Sequence, residues 1–419
     1  MDCHEPRFPF PSRQRFLVIQ LARFGDLIQT KRLIASLQMA GEVHLLVDRS
    51  LTGLAGLVYP GAVVHGLAAH GQHGPGLLPL VHADMHALAG LDFTLVYNLN
   101  FSGMNFALAG MFPSDRVRGY RLHAGQRLID SWPGLVMRWT QRRVVAGLNL
   151  VDVWGLYADA PLPPERVNPS AKGRGGGLGV VMAGQNARRS LSAGVLAPLV
   201  LAAHGRIGRG PIYLLGSGNE GRAARELAAL LPPSVRAEVR DLVGQTGWRE
   251  LLDVVGGLDL LLSPDTGTMH LAAHLGVPVL AFFLSSAWCH ETGPYGTGHM
   301  VLQATTDCAP CLETASCAHE VACRQAFSDP AVLRRVSGRM DKELPPGILV
   351  MASKFDSLGL IWTSVSGNDP HQQRRQAFRA TAAACLGVSL GAAGPATEDF
   401  WMLERDWMLP QTLRGSAHE

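Results

Sequence analysis

The chain has 419 residues, 47% of them hydrophobic and 17% charged, enough apolar material for two or three globular domains with substantial cores. Its net charge of +3 is too small to point to a nucleic-acid partner. The excess of Lys and Arg over Asp and Glu nevertheless lies in residues 1–150, which favours an anionic partner there. The longest apolar runs, 258–263 and 277–284, stop well short of the roughly 20 residues that a membrane span needs. The opening MDCHEPRFPFPSRQR has Pro6, Pro9 and Pro11 where a secretion signal would have an apolar stretch. The expectation is a soluble, cytoplasmic protein.

In chain order, residues 1–15 read as an extension. FLVIQL (16–21) has the pattern of a buried strand, ARFGD is a turn, and 27–39 carries apolar residues at helical spacing. VHLLV (43–47) and DFTLVYNL (92–99) are further strands, with helices expected near 102–112 and 126–139. His65, His70, His73, His82 and His86 fall in a Gly-rich stretch and read as surface loop residues. Strands separated by helices imply a parallel sheet covered on both faces, here spanning 16–158. Residues 159–177, rich in Pro and Gly, suit a linker. Alternation then restarts over 178–345, with strands at 179–183, 211–217, 259–263 and 278–283 and helices at 191–203, 220–231, 250–255 and 269–275. The reading is α/β, two Rossmann-like domains facing across a cleft, with ligands at the carboxyl ends of the strands. Residues 346–419 form a less legible tail with one helix near 371–387, expected to pack back on the N-terminal domain.

SPDTGTMHLAAHLG (263–276) raises a specific question, because Asp265-Thr266-Gly267 after an apolar run is the tripeptide of aspartic proteases. Such an enzyme needs two carboxylates sharing one proton, and the chain has one such tripeptide followed by a helical pattern closed by Gly276 and Pro278. The protease is set aside. A strand, a tight turn and a helix N-terminus instead aim backbone N–H groups at an anion. The alternative on the tripeptide alone is a helix cap by Asp265 and Thr266 with His270 in the core.

The wider segment 241–283, DLVGQTGWRELLDVVGGLDLLLSPDTGTMHLAAHLGVPVLAFF, resembles the donor-binding segment of the heptosyltransferases, glycosyltransferase family nine. FLVIQLARFGDLIQTKRLIASL (16–37), YNLNFSGMNFALAG (97–110), LLGSGNEGRAARELA (214–228) and GPYGTGHMVLQ (293–303) fit the family in order, so that the resemblance spans roughly 15–345. It implies a GT-B fold and an inverting, metal-independent transfer of a sugar from ADP-heptose to an anionic glycolipid, the lipopolysaccharide inner core. The enzyme would be a monomer with peripheral contact to the inner membrane surface. Asp26 matches the family's catalytic base, which takes the acceptor proton; on local sequence it reads equally as a helix cap.

Arg188 is the candidate for stabilising the leaving diphosphate. Gly184, Arg189, Asp265, Thr266, Gly267, Met269 and His270 match the donor cradle, Ser217 and Glu220 the ribose site, and Thr246 the turn facing the base. Arg23, Arg118 and Arg121 are candidates for the acceptor, the last two in an Arg-rich stretch that also holds Arg116, Arg127, Arg138, Arg142 and Arg143. The family's Lys-Arg-Trp-Pro turn is here Arg188-Arg189-Ser190-Leu191, the residue after Gly267 is Thr268 where Pro is usual, and FFLSSAW (282–288) replaces Phe-Gly-Pro-Thr. Cys308, Cys311, Cys317 and Cys323 form a C-x2-C-x5-C-x5-C array, which can hold a structural zinc or stand as free or redox-paired thiols. Two other readings of the chain are a sugar-nucleotide epimerase, which needs no acceptor, and a non-catalytic nucleotide-sugar-binding protein.

Overall fold

The computed structural model describes residues 14–69, 77–139, 143–182, 187–311, 316–339, 342–388 and 390. Strands form where the sequence runs continuously apolar, as expected of parallel strands buried on both faces. The first sheet contains β1 (Gln14–Gln20), β2 (Gly41–Asp48), β3 (Ala62–Leu67), β4 (Leu95–Asn98), β5 (Val117–His123) and β6 (Gln126–Ile129), in the spatial order β3-β2-β1-β4-β5-β6. All neighbours pair in parallel except β5 and β6. Its core gathers Leu17, Ile19, Leu46, Leu67, Phe93 and Val96.

The second sheet contains β7 (Leu178–Val181), β8 (Ile212–Leu215), β9 (Val239–Asp241), β10 (Leu260–Pro264), β11 (Val279–Phe283), β12 (Met300–Ala304), β13 (Ile348–Phe355) and β14 (Leu360–Ser366). Its order is β14-β13-β12-β11-β10-β7-β8-β9. The first six strands are parallel, whereas β13 and β14 add antiparallel strands beyond β12. In both sheets the order reverses beside the first strand, at β1/β4 and at β7/β10, the position where doubly wound sheets bind ligands. Leu178, Val180, Leu199, Leu262, Phe282 and Phe327 lie in the second core.

Several sequence expectations change here. Residues 126–129 are a strand rather than the start of a helix, because Ala124 (φ 48°) and Gly125 (φ 78°) make a tight turn that folds β6 back on β5. The helix expected over 27–39 is two, Phe24–Gln29 and Lys31–Ala40. His65 lies in β3, and His82 and His86 lie on the helix Leu77–Ala89; His70 and His73 fall outside the described residues. The tail supplies β13 and β14 and the helix Gln372–Cys385.

The chain divides into two compact units, residues 1–22 with 34–134, and residues 23–33 with 135–419. The division therefore falls at 134/135 rather than in the Pro/Gly-rich stretch 159–177. That stretch belongs to the second unit, where the N–H groups of Gly175 and Gly177 bond the Asp259 carboxylate at 2.6 and 3.0 Å. Residues 23–33, which carry Asp26, also count with the second unit, although the sequence placed them in the first domain. Among the described residues no helix is long and apolar enough to cross a membrane.

Candidate active site

Because β7 to β11 run parallel, the turns that follow them emerge at one end of the second sheet. The turn after β7 leads to Arg188 and Arg189 in the short helix Ala187–Arg189, that after β8 to Ser217 and Glu220, that after β9 to Thr246, and that after β10 to Asp265 and the helix Gly267–His274. Four sequence-distant stretches thus emerge at the same end of the sheet.

The β10 turn is built as the sequence suggested, with one exchange of roles. Thr266 is the N-cap, its hydroxyl accepting from Met269 N at 3.3 Å, and His270 N bonds Thr266 O at 3.2 Å. This leaves the Gly267 and Thr268 N–H groups at the helix mouth without helical acceptors. Asp265 does not cap. Its carboxylate is 8% exposed and faces inward, where Oδ2 accepts from Arg189 Nη2 and from Thr292 Oγ1 at 2.8 Å. Arg189 Nη2 also donates to Asp265 O at 3.2 Å, and His270 Nε2 lies 3.6 Å from Asp265 Oδ1. Arg189 Nε is buried with no acceptor among the described residues.

Asp26 reaches this group through a close helix contact. The helix Phe24–Gln29 packs against Gly267–His274, where a Cβ added at Gly267 would stand 2.2 Å from the Phe24 ring, and one at Gly25 would stand 3.1 Å from the His270 ring. Phe24 in turn meets Trp248 edge to face, centroids 5.1 Å apart. Asp26 Oδ2 accepts from Arg23 N at 3.2 Å, so the residue caps its own helix while the rest of the carboxylate stays available.

The two carboxylates titrate in opposite directions. Burial pushes the Asp26 carboxyl up, and the Arg23 N–H and the charges of His270 and Arg23 recover only part of that. Burial acts on Asp265 as well, but Arg189, His270 and Thr292 outweigh it and hold the group below the ordinary carboxylate range. Burial thus raises the Asp26 carboxyl, while the partners of Asp265 favour its charged form.

A second buried pair adjoins the site, and no local sequence pattern points to it. Arg143 donates to both Glu291 oxygens at 2.6–3.1 Å, to Ser286 O at 2.7 Å and to Cys311 O at 2.9 Å. It thereby fastens the loop after β11 and the cysteine segment around the helix Cys289–Thr292, whose last residue bonds Asp265. Arg143 belongs to the Arg-rich stretch considered for the acceptor, but its partners lie well over a hundred residues away.

The other sequence candidates are distributed as follows. Ser217 Oγ donates to Glu220 Oε2 at 2.7 Å, and Thr246 is half-buried. Arg188 lies near enough to Cys317 to help hold its thiol down, after the N–H groups of His319 and Val321. Gly184 falls outside the described residues. Arg118 and Arg121 are on β5 in the first unit, bonded to Asp115 O at 3.0 Å and paired with Asp130 at 2.9 Å, whereas Arg23 is exposed in the second. Arg116 pairs with Asp92 at 2.6 Å and Arg127 lies 5.3 Å over the Phe106 ring, so the Arg-rich stretch is not one patch of free charge. Cys308, Cys311, Cys317 and Cys323 are free thiols close enough to influence one another. Among the described residues no group of three or more His, Cys, Asp or Glu has the arrangement of a metal site.

The segment that carries β8 to β12 and the Asp265 turn can be compared with known proteins. Residues 204–322 match the model of glycosyltransferase family 9 (heptosyltransferase). Over that segment the chain is similar to the glycosyltransferases of family 9. Its fold is similar to E. coli ADP-heptose lps heptosyltransferase II at 16% identity and TM-score 0.52, over 69% of this chain and 90% of that one. E. coli heptosyltransferase WaaC with ADP is similar at 16% identity and TM-score 0.54, over 70% and 94%. A glycosyl transferase family 9 protein from Veillonella parvula DSM 2008 is similar at 15% and 0.54, over 69% and 86%. No curated protein matches in sequence. The paired Rossmann-like sheets are those of a GT-B glycosyltransferase, and the family 9 match ends at 322, before β13 and β14 begin.

Proposed function

We propose that the protein moves a sugar, heptose in the first instance, from an ADP-sugar to an anionic glycolipid acceptor with inversion, Asp26 acting as base. What carries this reading is the opposed titration of Asp26 and Asp265 beside one helix mouth, since a direct displacement needs one carboxylate that takes a proton and another that stays charged to hold the donor. Asp26 removes the acceptor hydroxyl proton as that oxygen attacks the anomeric carbon. The bond from that carbon to the diphosphate breaks, and the electron pair leaves with the β-phosphate oxygen. The Gly267 and Thr268 N–H groups, Arg189 Nε and Arg188 supply the positive potential that this oxygen needs. Metal independence is part of the proposal and rests on those cations and N–H groups.

Asp265, with Thr292 and His270, faces the sugar, while Ser217 presents Glu220 to the ribose and Thr246 lies toward the base. Arg23, whose N–H bonds the Asp26 carboxylate, is the proposed acceptor contact, and Arg118 and Arg121 are further candidates for acceptor anions. The ADP and the ADP-2-deoxy-2-fluoro heptose found with E. coli heptosyltransferase WaaC support the choice of donor. Lipopolysaccharide core is the acceptor to try first, which puts the enzyme at the cytoplasmic face of the inner membrane, as a monomer.

The test is Asp26→Ala, assayed for ADP release from ADP-heptose with lipopolysaccharide core and for ADP binding by calorimetry. Transfer should fall by about 10²–10⁴-fold while ADP affinity stays within a factor of two. Normal transfer by the variant, or consumption of ADP-heptose without acceptor by the wild type, would overturn the reading.

A further inference from the structure

Asp26 sits on a helix of only six residues, Phe24–Gln29, too short to hold a direction by itself. Its far end is fixed more firmly than its near one. Thr30, fully buried, closes the helix and donates its hydroxyl to Asp26 O at 2.9 Å. Two residues later the Arg32 guanidinium, 2% exposed, enters the interior of the second unit. Nη1 donates to Asp152 Oδ1 at 2.6 Å and to Leu358 O at 2.8 Å, and Nε donates to Leu162 O at 2.9 Å. Asp152, also fully buried, accepts from Tyr295 OH at 2.5 Å and from Leu360 N at 2.7 Å.

The arrangement is shaped around this one side chain. A Cβ at Gly155 would stand 2.3 Å from Arg32 Cδ, so the glycine leaves the room that the arginine stem occupies. Three chain segments thus converge on Arg32, two residues past the cap of the Asp26 helix. A lysine would keep the charge but could not direct donors to three separated acceptors.

We propose that Arg32 and Asp152 are positioning residues for the catalytic base, fixing the Asp26 helix to the donor-binding unit so that the carboxylate keeps its place beside His270. The inference rests on the reading of Asp26 as base. It predicts a loss confined to the chemical step, because the bonds of the pair to Leu162, Leu358, Tyr295 and Leu360 lie outside the donor-holding residues.

The experiment uses full-length Arg32→Lys, with Gly155→Ala as the second variant, which crowds the arginine without removing it. Amide hydrogen exchange over residues 23–30 should quicken in both variants while exchange in the second sheet is unchanged. With ADP-heptose and lipopolysaccharide core, kcat should fall by about 10–100-fold with ADP affinity unchanged, and the acid limb of the kcat profile should move, since Asp26 would leave its buried setting. Unchanged exchange at 23–30, or a kcat loss that tracks the folded fraction with the acid limb in place, would overturn the inference. Asp26→Asn is assayed alongside. If it keeps full activity, the base assignment fails, while the exchange data still judge the anchor.

Discussion

At the scale of single residues, the site depends on giving two nearby carboxylates different surroundings. Asp265 has three polar partners and Asp26 has one backbone N–H, and the burial they share therefore acts unequally on them. As the proposed base, Asp26 must be ionised, and since its carboxyl is held above its ordinary value, kcat should decline on the acid side at a pH above the usual carboxylate value of about 4. A pH profile at saturating donor measures this; an acid limb at or below that value would mean the burial is not felt. Asp26 and the Asp-Thr-Gly turn were legible in the sequence because each is a contiguous strand-turn-helix string. Thr292, Glu291 and Arg143 were not, since their roles come from pairings across 27 and 148 residues that no local pattern announces. Arg188 and Arg189 were both singled out, but only the fold reveals that Arg189 is the one paired with Asp265.

Among elements, the decisive contact joins two helix starts, and it exists because Gly25 and Gly267 leave room for the opposing ring. Gly267→Ala should push Phe24 off Trp248 and part the helices, costing about 1–3 kcal/mol as overpacking does and lowering transfer together with the melting temperature. A variant with wild-type melting and rate would show that the contact can relax freely. Most strands and the longer helices followed from apolar runs and helical spacing. The β5–β6 hairpin was missed because its turn puts Ala124 at positive φ, where glycine or asparagine would have signalled it.

Over the whole molecule, the C-terminal region is structural rather than appended. Cutting the chain after residue 345 removes β13 from the β12 edge, takes Leu358 O and Leu360 N from Arg32 and Asp152, and strips Arg375 and Arg379 from the Val144 and Gly147 carbonyls. An unpaired edge and a weakened buried ion pair should leave a protein that aggregates or melts without a cooperative transition. Normal thermal unfolding of the shortened chain would refute this. The sequence reading stopped short here because 346–388 carries no motif; its role lies in the backbone groups it offers to distant side chains.

The bond from Arg32 to Leu358 spans 326 positions, and that separation has a consequence in time. During synthesis the helix bearing Asp26 leaves the ribosome long before β13 and the turn after it, and its anchor closes only when they arrive. At about 5–20 residues per second the wait lasts roughly 15–65 s, so a nascent chain interrupted anywhere before residue 358 carries its base without the means to aim it.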